Sequence, residues 1–377
     1  MAMIMNQDQM DLVALAKEFI ENEVKPHIYE LDEKGEFPLE LYKKGFELGF
    51  HCMDIEEQYG GVGLDYNTIA FVLEELAKVD AGFAISLTLN GLPFACVSKF
   101  GTQEQIKYVA EKITPGGFMT FALTEADSGS NAGALRCTCT RDGEDYIING
   151  PKTFVTNGKY GDVHIVFATI NPEAGVRGIC AFIVEKDRQG IQIGKEENKM
   201  GLRLSNTCDV FFDNVRVPAK NLIGKEGIGF KIAMSALDIG RVFNAAMAVG
   251  IAQGAMDDCI AYSKQRKPFG APIASHQAVQ FMIADMAIQI EAARTITHNT
   301  AALAQAGQKY TKEAAMAKTF ASDMAMAVTT DAVQIFGGYG YSREYPVEKR
   351  MRDAKIFQIF EGTNQIQRSI IANAILR

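Results

Sequence analysis

The apolar positions of this chain change period twice. Over residues 1–116 they recur at helical spacing. Leu12, Leu15, Ala16, Phe19 and Ile20 share one stripe, and Ile69, Val72, Leu73 and Leu76 share another. Pro26 limits the first helix, and Gly60-Gly61-Val62-Gly63 reads as a loop between the two. Near residue 117 the pattern becomes strand-like. Asp142-Gly143 and Asn149-Gly150 predict hairpin turns, flanked by strands over 135–140, 146–148 and 153–156. More strands are predicted over 163–170, 179–184, 191–193 and 209–217, closed by Pro218 and the glycines at 224, 227 and 229. From residue 228 the helical period returns, over 229–264, 275–306 and 312–336. Helix, then strand, then helix predicts an α+β protein in three parts: an N-terminal helical domain (1–116), a middle β domain (117–225) and a C-terminal helical domain (226–377). A βαβ alternation of the Rossmann kind is not what the pattern gives.

Composition narrows the function. The 377 residues are 47% hydrophobic and 22% charged, with a net charge of -8. An acidic balance argues against nucleic acid, whose phosphates need a basic surface. No apolar run reads as long enough to span a membrane. The start, Met1 to Asp8, lacks the basic and apolar regions of a secretory signal. Seven cysteines form an odd set with no regular spacing, which fits free thiols in a cytoplasmic protein. Cys137 and Cys139 share a sheet face but have no second ligand pair, and the five histidines are scattered. No metal site is expected.

Three segments carry candidate chemistry. Glu361 is an isolated carboxylate between the apolar run Ile356-Phe357-Gln358-Ile359-Phe360 and a Gly362-Thr363 turn, just before a last helix. A carboxylate in apolar surroundings titrates nearer neutrality, as a general base must. The plainer reading is a solvated glutamate at a helix start. Gly337-Gly338-Tyr339-Gly340 looks like a phosphate-binding loop, but it follows a helix where a dinucleotide fingerprint must follow a strand. It is a helix cap and turn that also lets a flat ligand approach the backbone. The loop over 121–131 is rich in hydroxyls and free backbone donors, suited to phosphate or a polar ring edge.

Together with Phe154-Val155-Thr156-Asn157, Leu237-Asp238-Ile239-Gly240-Arg241, Arg266-Lys267-Pro268-Phe269-Gly270, the run over 277–281 and those over 334–341 and 359–367, these segments resemble the acyl-CoA dehydrogenase family, in its short-chain, butyryl-CoA-like branch. Each motif is weak alone; their common order is specific. The resemblance covers nearly the whole chain. It implies a helical domain, a β domain and a C-terminal four-helix bundle, assembled as a homotetramer that binds FAD without a Rossmann fold.

Carried over by motif, Phe121, Leu123, Thr124, Gly129 and Ser130 line the flavin, with Thr124 on its ring edge and Ser130 near pyrophosphate and substrate. Phe154, Val155 and Thr156 pack beside the ring. Arg266, Phe269 and Gln277 serve the FAD of a neighbouring subunit, and Gln334, Ile335, Phe336, Gly337 and Gly338 hold its ADP half. Thr363, Asn364 and Gln365 touch FAD. Asp238 and Arg241 face the CoA, and Gly362 the substrate. Thr88, Leu89, Asn90, Phe243 and Tyr339 border the acyl pocket. Two departures stand out. Ala126-Asp127-Ser128 replaces the usual Pro-Gly-Ala and adds charge near the CoA, and Phe154 stands where many members have Trp.

The implied reaction is interconversion of an acyl-CoA and its 2,3-enoyl-CoA. Glu361 takes the α-proton, flavin takes the hydride, and electron-transferring flavoprotein exchanges the electrons. Gly240 occupies the place where a minority of the family carries its base, so Glu361 has no rival there. An acyl-CoA oxidase that uses oxygen, a hydrolase, and a non-catalytic CoA-binding protein are the alternatives.

Overall fold

A computed structural model describes residues 5–376. Residues 1–4, on which part of the signal reading falls, and Arg377 lie outside the described residues.

The N-terminal helices are α1 (Gln7–Phe19), α2 (Ile28–Lys34), α3 (Leu39–Glu47), α4 (Tyr66–Val79), α5 (Ala81–Thr88), α6 (Gly91–Phe100) and α7 (Gln103–Ile113). Asn6 and Gln9 form a reciprocal capping box that starts α1. The predicted stripes face inward: Ala16, Phe19 and Ile20, and Ile69, Val72, Leu73 and Leu76, are buried. Pro26 does not end the first helical run. The chain continues through a π turn (Ile20–Val24) and a 3₁₀ turn (Lys25–His27) into α2. Pro26 sits at the start of the short turn, where a missing N–H costs little.

The middle strands are β1 (Phe118–Ala122), β2 (Thr138–Asp142), β3 (Asp145–Thr156), β4 (Gly161–Thr169), β5 (Ile179–Glu185), β6 (Ile191–Glu196) and β7 (Thr207–Pro218). β4 pairs parallel with β1 and antiparallel with β5, and meets β2 at Thr138–Thr169. The antiparallel series β2-β3-β7-β6 completes the sheet. Asp142 pairs with Asp145 across the predicted hairpin, with Gly143 at φ 64°. Asn149-Gly150, by contrast, is no turn. β3 runs straight through it, and Gly150 (φ 135°) marks a register shift against β7. A side chain at Gly150 would lie 2.8 Å from the Cys137 Cα. A bulge needs the same positive φ as a hairpin, so the dipeptide alone does not tell them apart.

β4 and β5 are buried almost throughout because both sheet faces are covered. Val163, Ile165 and Phe167 join the core shared with the helices; Val166 and Ala168 join a second core with Cys137, Cys139 and Phe182.

The C-terminal helices are α8 (Gly229–Gln265), α9 (Gln277–Gln305), α10 (Thr311–Phe336), α11 (Pro346–Lys355) and α12 (Asn364–Leu376). α8 packs on α4, α9 and α10, and α10 on α12. Two helical stretches are in fact long and apolar enough to span a membrane, at residues 81–100 and 229–265, contrary to the sequence expectation. In the most apolar 18-residue window of each, 89% and 83% of the residues are buried inside the protein, as in core helices. Small residues allow that packing: a Cβ on Gly250 would lie 2.3 Å from the Glu74 carbonyl oxygen. The three domains meet at a buried ionic junction. Lys349 Nζ donates to Asp80 (2.6 Å) and Asp353 (2.5 Å), and Asp353 accepts the Leu202 N–H (2.7 Å).

Candidate active site

α11 leads through a 3₁₀ turn (Ile356–Gln358) to Glu361 and Gly362, and α12 then begins. Glu361 has φ 54° and Gly362 φ 90°. Glycine adopts such values freely; glutamate does so at a cost, and such strain persists only where the surroundings impose it. Buried Gln367 donates to the carbonyls of Glu361 and Gly362, both at 3.0 Å. Buried Lys318, on α10, donates to the Gly362 carbonyl and to Asn364 Oδ1, both at 2.9 Å. Asn364 is also bonded to Ser322 and Asp323. Its side chain therefore holds the turn. Among the described residues the Glu361 N–H donates to no group.

The carboxylate end reaches across to α8. Among the described residues, buried Glu361 Oε2 has no hydrogen-bond partner. A Cβ on Gly240 would lie 2.4 Å from that oxygen and 3.1 Å from Leu92 Cδ1. Gly240 is bare because the Glu361 carboxylate fills its space. Burial pushes the Glu361 carboxyl up to about 7, against a downward pull from Asn244, Arg241 and Lys318. Asn244 is near enough to favour the charged form. Even so, both its amide atoms are buried and unpartnered, so no formed hydrogen bond joins it to the carboxylate. Buried polar groups left unpaired call for an explanation; here they surround the candidate base. Burial also pushes Lys318 down to about 8. Arg241 is buried and bonded to Asp238 at 2.6 Å, while its Nε has no partner among the described residues. Asp238 further accepts from Thr311 at 2.6 Å.

The middle-domain residues form a second group. Phe121 packs on Phe167 with ring centroids 4.9 Å apart. The Thr153 N–H donates to the Thr124 carbonyl (2.9 Å), setting Thr124 beside the end of β3. There Phe154 takes φ 53° and is 63% exposed, while Val155 is buried and Thr156 partly so. A strained, exposed aromatic is a platform for something flat. Gly129 and Ser130 are exposed on the loop. Sequence reasoning missed what bolts this loop down. Fully buried Lys152 donates to Glu125 (2.6 Å) and to the Leu123 carbonyl (3.1 Å), and Glu125 accepts the N–H groups of Arg136 and Cys137. A lysine inside a strand between turn signals was the available clue.

A third group lines an open cleft of about 480 Å³: Arg266, Ile335, Phe336, Gly337 and Gly338, with Tyr262 and Tyr339. Arg266 lies over the Tyr339 ring at 5.2 Å, and Tyr262 stacks on Phe336 at 4.0 Å. Cβ atoms on Gly337 and Gly338 would meet nothing within 4 Å. A guanidinium, bare backbone and aromatic walls suit a diphosphate with an attached ring, so these residues fit the ADP half of a flavin dinucleotide. Tyr339 belongs here, away from the acyl pocket assigned to it from sequence. Asn90 is likewise committed elsewhere, bonded to Gly117 O and Met119 N. Thr88 and Phe243 do line one cavity together. Phe269, Gln277, Gln334 and Gln365 are exposed, Phe269 by 86%.

Family models of the acyl-CoA dehydrogenase N-terminal, middle and C-terminal domains match residues 6–117, 120–215 and 227–376. A short-chain-specific acyl-CoA dehydrogenase of Megasphaera elsdenii is 45% identical over 377 residues, covering 98% of each chain. The butyryl-CoA dehydrogenase structure from Megasphaera elsdenii superposes with a TM-score of 0.98 at 44% identity, covering all of both chains. A chain in a structure described as the electron transferring flavoprotein of Acidaminococcus fermentans, in work on flavin-based electron bifurcation, also reaches 0.98, at 47% identity and full coverage of both. The domain matches, the identities and the superposed three-part fold agree, and the chain belongs to the flavin-dependent acyl-CoA dehydrogenase family.

Proposed function

We propose that this acyl-CoA dehydrogenase uses FAD to interconvert a short or flat acyl-CoA and its 2,3-enoyl-CoA, with Glu361 as the α-proton base. The observation that carries this is the Glu361 carboxylate: one oxygen buried without a partner, on a strained and clamped turn, titrating near neutrality. In oxidation Glu361 removes the α-proton. Its free N–H is placed to donate to the thioester oxygen as charge builds there, a preorganised donor of the oxyanion-hole type. Lys318 and Gln367 keep the turn fixed meanwhile. In reduction the protonated Glu361 returns the proton to the α-carbon. When bound, FAD supplies the acceptor for the β-hydride.

Phe121, Leu123, Thr124 and 154–156 would hold the flavin ring. Arg266 and the 335–338 turn would hold the ADP half for a neighbouring subunit, which requires a homo-oligomer; the homotetramer that the family resemblance implies is the proposed form. Electron-transferring flavoprotein is the proposed redox partner, supported by the Acidaminococcus fermentans structure.

The test is a panel of acyl-CoA and enoyl-CoA thioesters, assayed by flavin bleaching and by reoxidation in rapid mixing. Bleaching by acyl-CoA, with slow reoxidation in air and fast reoxidation by electron-transferring flavoprotein, is expected. Fast reoxidation in air would make the protein an oxidase, and a colourless protein that only binds CoA would remove the enzymatic reading.

A further inference from the structure

The Glu361 carboxylate rests on α8 at Gly240. A Cβ there would lie 2.4 Å from Oε2 and 3.1 Å from the carboxyl carbon, so this oxygen sits against the helix backbone. Asn244 is four residues further along the same helix. Positions i and i+4 share a helix face, with Cβ atoms about 5–6 Å apart. Helical side chains also lean towards the N-terminus, so Asn244 covers the turn that carries Gly240. The amide and the carboxylate therefore share one patch of α8. They approach closely enough for the amide to favour the charged carboxylate.

Asn244 is 2% exposed, and among the described residues neither its Nδ2 nor its Oδ1 has a hydrogen-bond partner. Glu361 Oε2 is in the same condition. A donor and two acceptors thus lie buried together and unpaired, where buried polar groups are ordinarily paired. The charged neighbours do not fill the gap. Arg241 follows Gly240 on α8, about 100° round the helix, and its guanidinium is bonded to Asp238. Lys318, on α10, donates to the Gly362 carbonyl and to Asn364. Both act on Glu361 through charge alone. Further out, Asp238 and Tyr310 act on Arg241, and Asp323 acts on Lys318. Leu92, from α6, brings only carbon to the same spot.

A base makes a particular demand on its neighbour. Glu361 alternates between carboxylate and acid in each turnover. A cation bonded to it would hold the carboxylate but oppose its protonation. An amide carries both a donor and an acceptor, and its last torsion is broad, so it reorients at little cost. We infer that Asn244 is a positioning residue whose amide pairs with the Glu361 carboxyl in both protonation states, donating from Nδ2 to the carboxylate and accepting at Oδ1 from the acid. This rests on the acyl-CoA reading above, which gives Glu361 its proton to carry.

The test uses FAD-loaded enzyme. Asn244→Leu keeps the volume and removes both amide atoms. Asn244→Ala removes the same atoms without adding carbon, and serves if the leucine variant fails to fold. Asn244→Gln keeps both functions on a longer stem. The first readout needs no substrate: infrared titration of the Glu361 carboxyl stretch, assigned as the band lost in Glu361→Gln. In the leucine and alanine variants the midpoint should rise by about one pH unit, because a hydrogen bond to the charged form is stronger than one to the neutral form. The acid band should also change frequency, since the acid has lost its partner. The second readout is flavin bleaching by saturating acyl-CoA. On the high-pH plateau, where the base is ionised in every variant, Asn244→Leu should be slower by about 10–100-fold with unchanged substrate affinity, the cost of a base no longer held in place. Asn244→Gln should recover part of that loss, which a mere change of packing would not allow. A midpoint and band that Asn244→Leu and Asn244→Ala both leave in place, or a loss seen only as weaker substrate affinity, would overturn the inference and make Asn244 a wall of the acyl pocket. Turnover of no thioester by the wild type would overturn the acyl-CoA reading instead, whatever the infrared bands show.

Discussion

Replacing Glu361 with glutamine should slow the chemistry and stabilise the fold, and the two effects come from one cause. Burial raises the carboxyl from 4.5 to about 7. A shift of that size corresponds to about 3 kcal/mol between protonation states. The sign follows from proton binding. Below pH 4.5 the group is protonated in both folded and unfolded chains and costs nothing. Between pH 4.5 and 7 the unfolded chain releases its proton while the folded one retains it, so stability is lost as pH rises. Above 7 the full penalty applies. Glu361→Gln removes it, and for a chain of this length about 3 kcal/mol corresponds to a Tm gain of roughly 4 °C at pH 8. At pH 5 the gain should shrink to under about 1 kcal/mol. Circular dichroism melts of the FAD-loaded proteins at both pH values measure this. Stopped-flow bleaching by a good acyl-CoA measures the other half. The wild-type rate should rise with pH through about 7, and the variant should lose about 10²–10⁴-fold. A Tm gain independent of pH, or near-wild-type bleaching in Glu361→Gln, would refute the placement of the buried base.

Gly240→Ala should fold and bind FAD, because only the flexible end of Glu361 must move. Bleaching should nevertheless fall by about 100-fold, the cost of misplacing a reacting group by roughly 1 Å. Arg266→Ala should weaken FAD retention at least about tenfold through loss of a charge-assisted contact, read as flavin absorbance after dialysis. Lys152→Met should cost about 3–5 kcal/mol in urea unfolding, because it leaves Glu125 buried without its cation; Lys152→Met with Glu125→Gln should recover part of it.

The order of domains was legible because hydrophobic period is a local property. The stripe from Leu12 to Ile20, the alternation through β3 and the long period of α8 each report which face is buried without reference to the rest of the chain. Local signals failed where one residue type serves two geometries. Pro26 stops a helix or opens a 3₁₀ turn, and Asn149-Gly150 makes a hairpin or a bulge. The apolar run of α8 fails in the same way, since a core helix and a membrane helix share a composition and differ only in what surrounds them.

The site divides along the same line. Glu361 could be picked out because an isolated carboxylate in an apolar run before a helix is a local oddity. What makes it a base could not, because its determinants come from distant segments. Gly240 supplies the space, Lys318 and Gln367 the clamp, and Asn244 and Arg241 the opposing electrostatics. Each is an ordinary helix residue when read in its own segment. The backbone at Glu361 adds an argument that sequence lacked. At φ 54° glycine would be the relaxed choice, and glycine follows at the next position. The chain instead keeps a titratable carboxylate on the strained residue and restrains it with two buried side chains. A surface glutamate at a helix start needs neither the strain nor the clamp, whereas a base that must hold one position while its charge changes needs both.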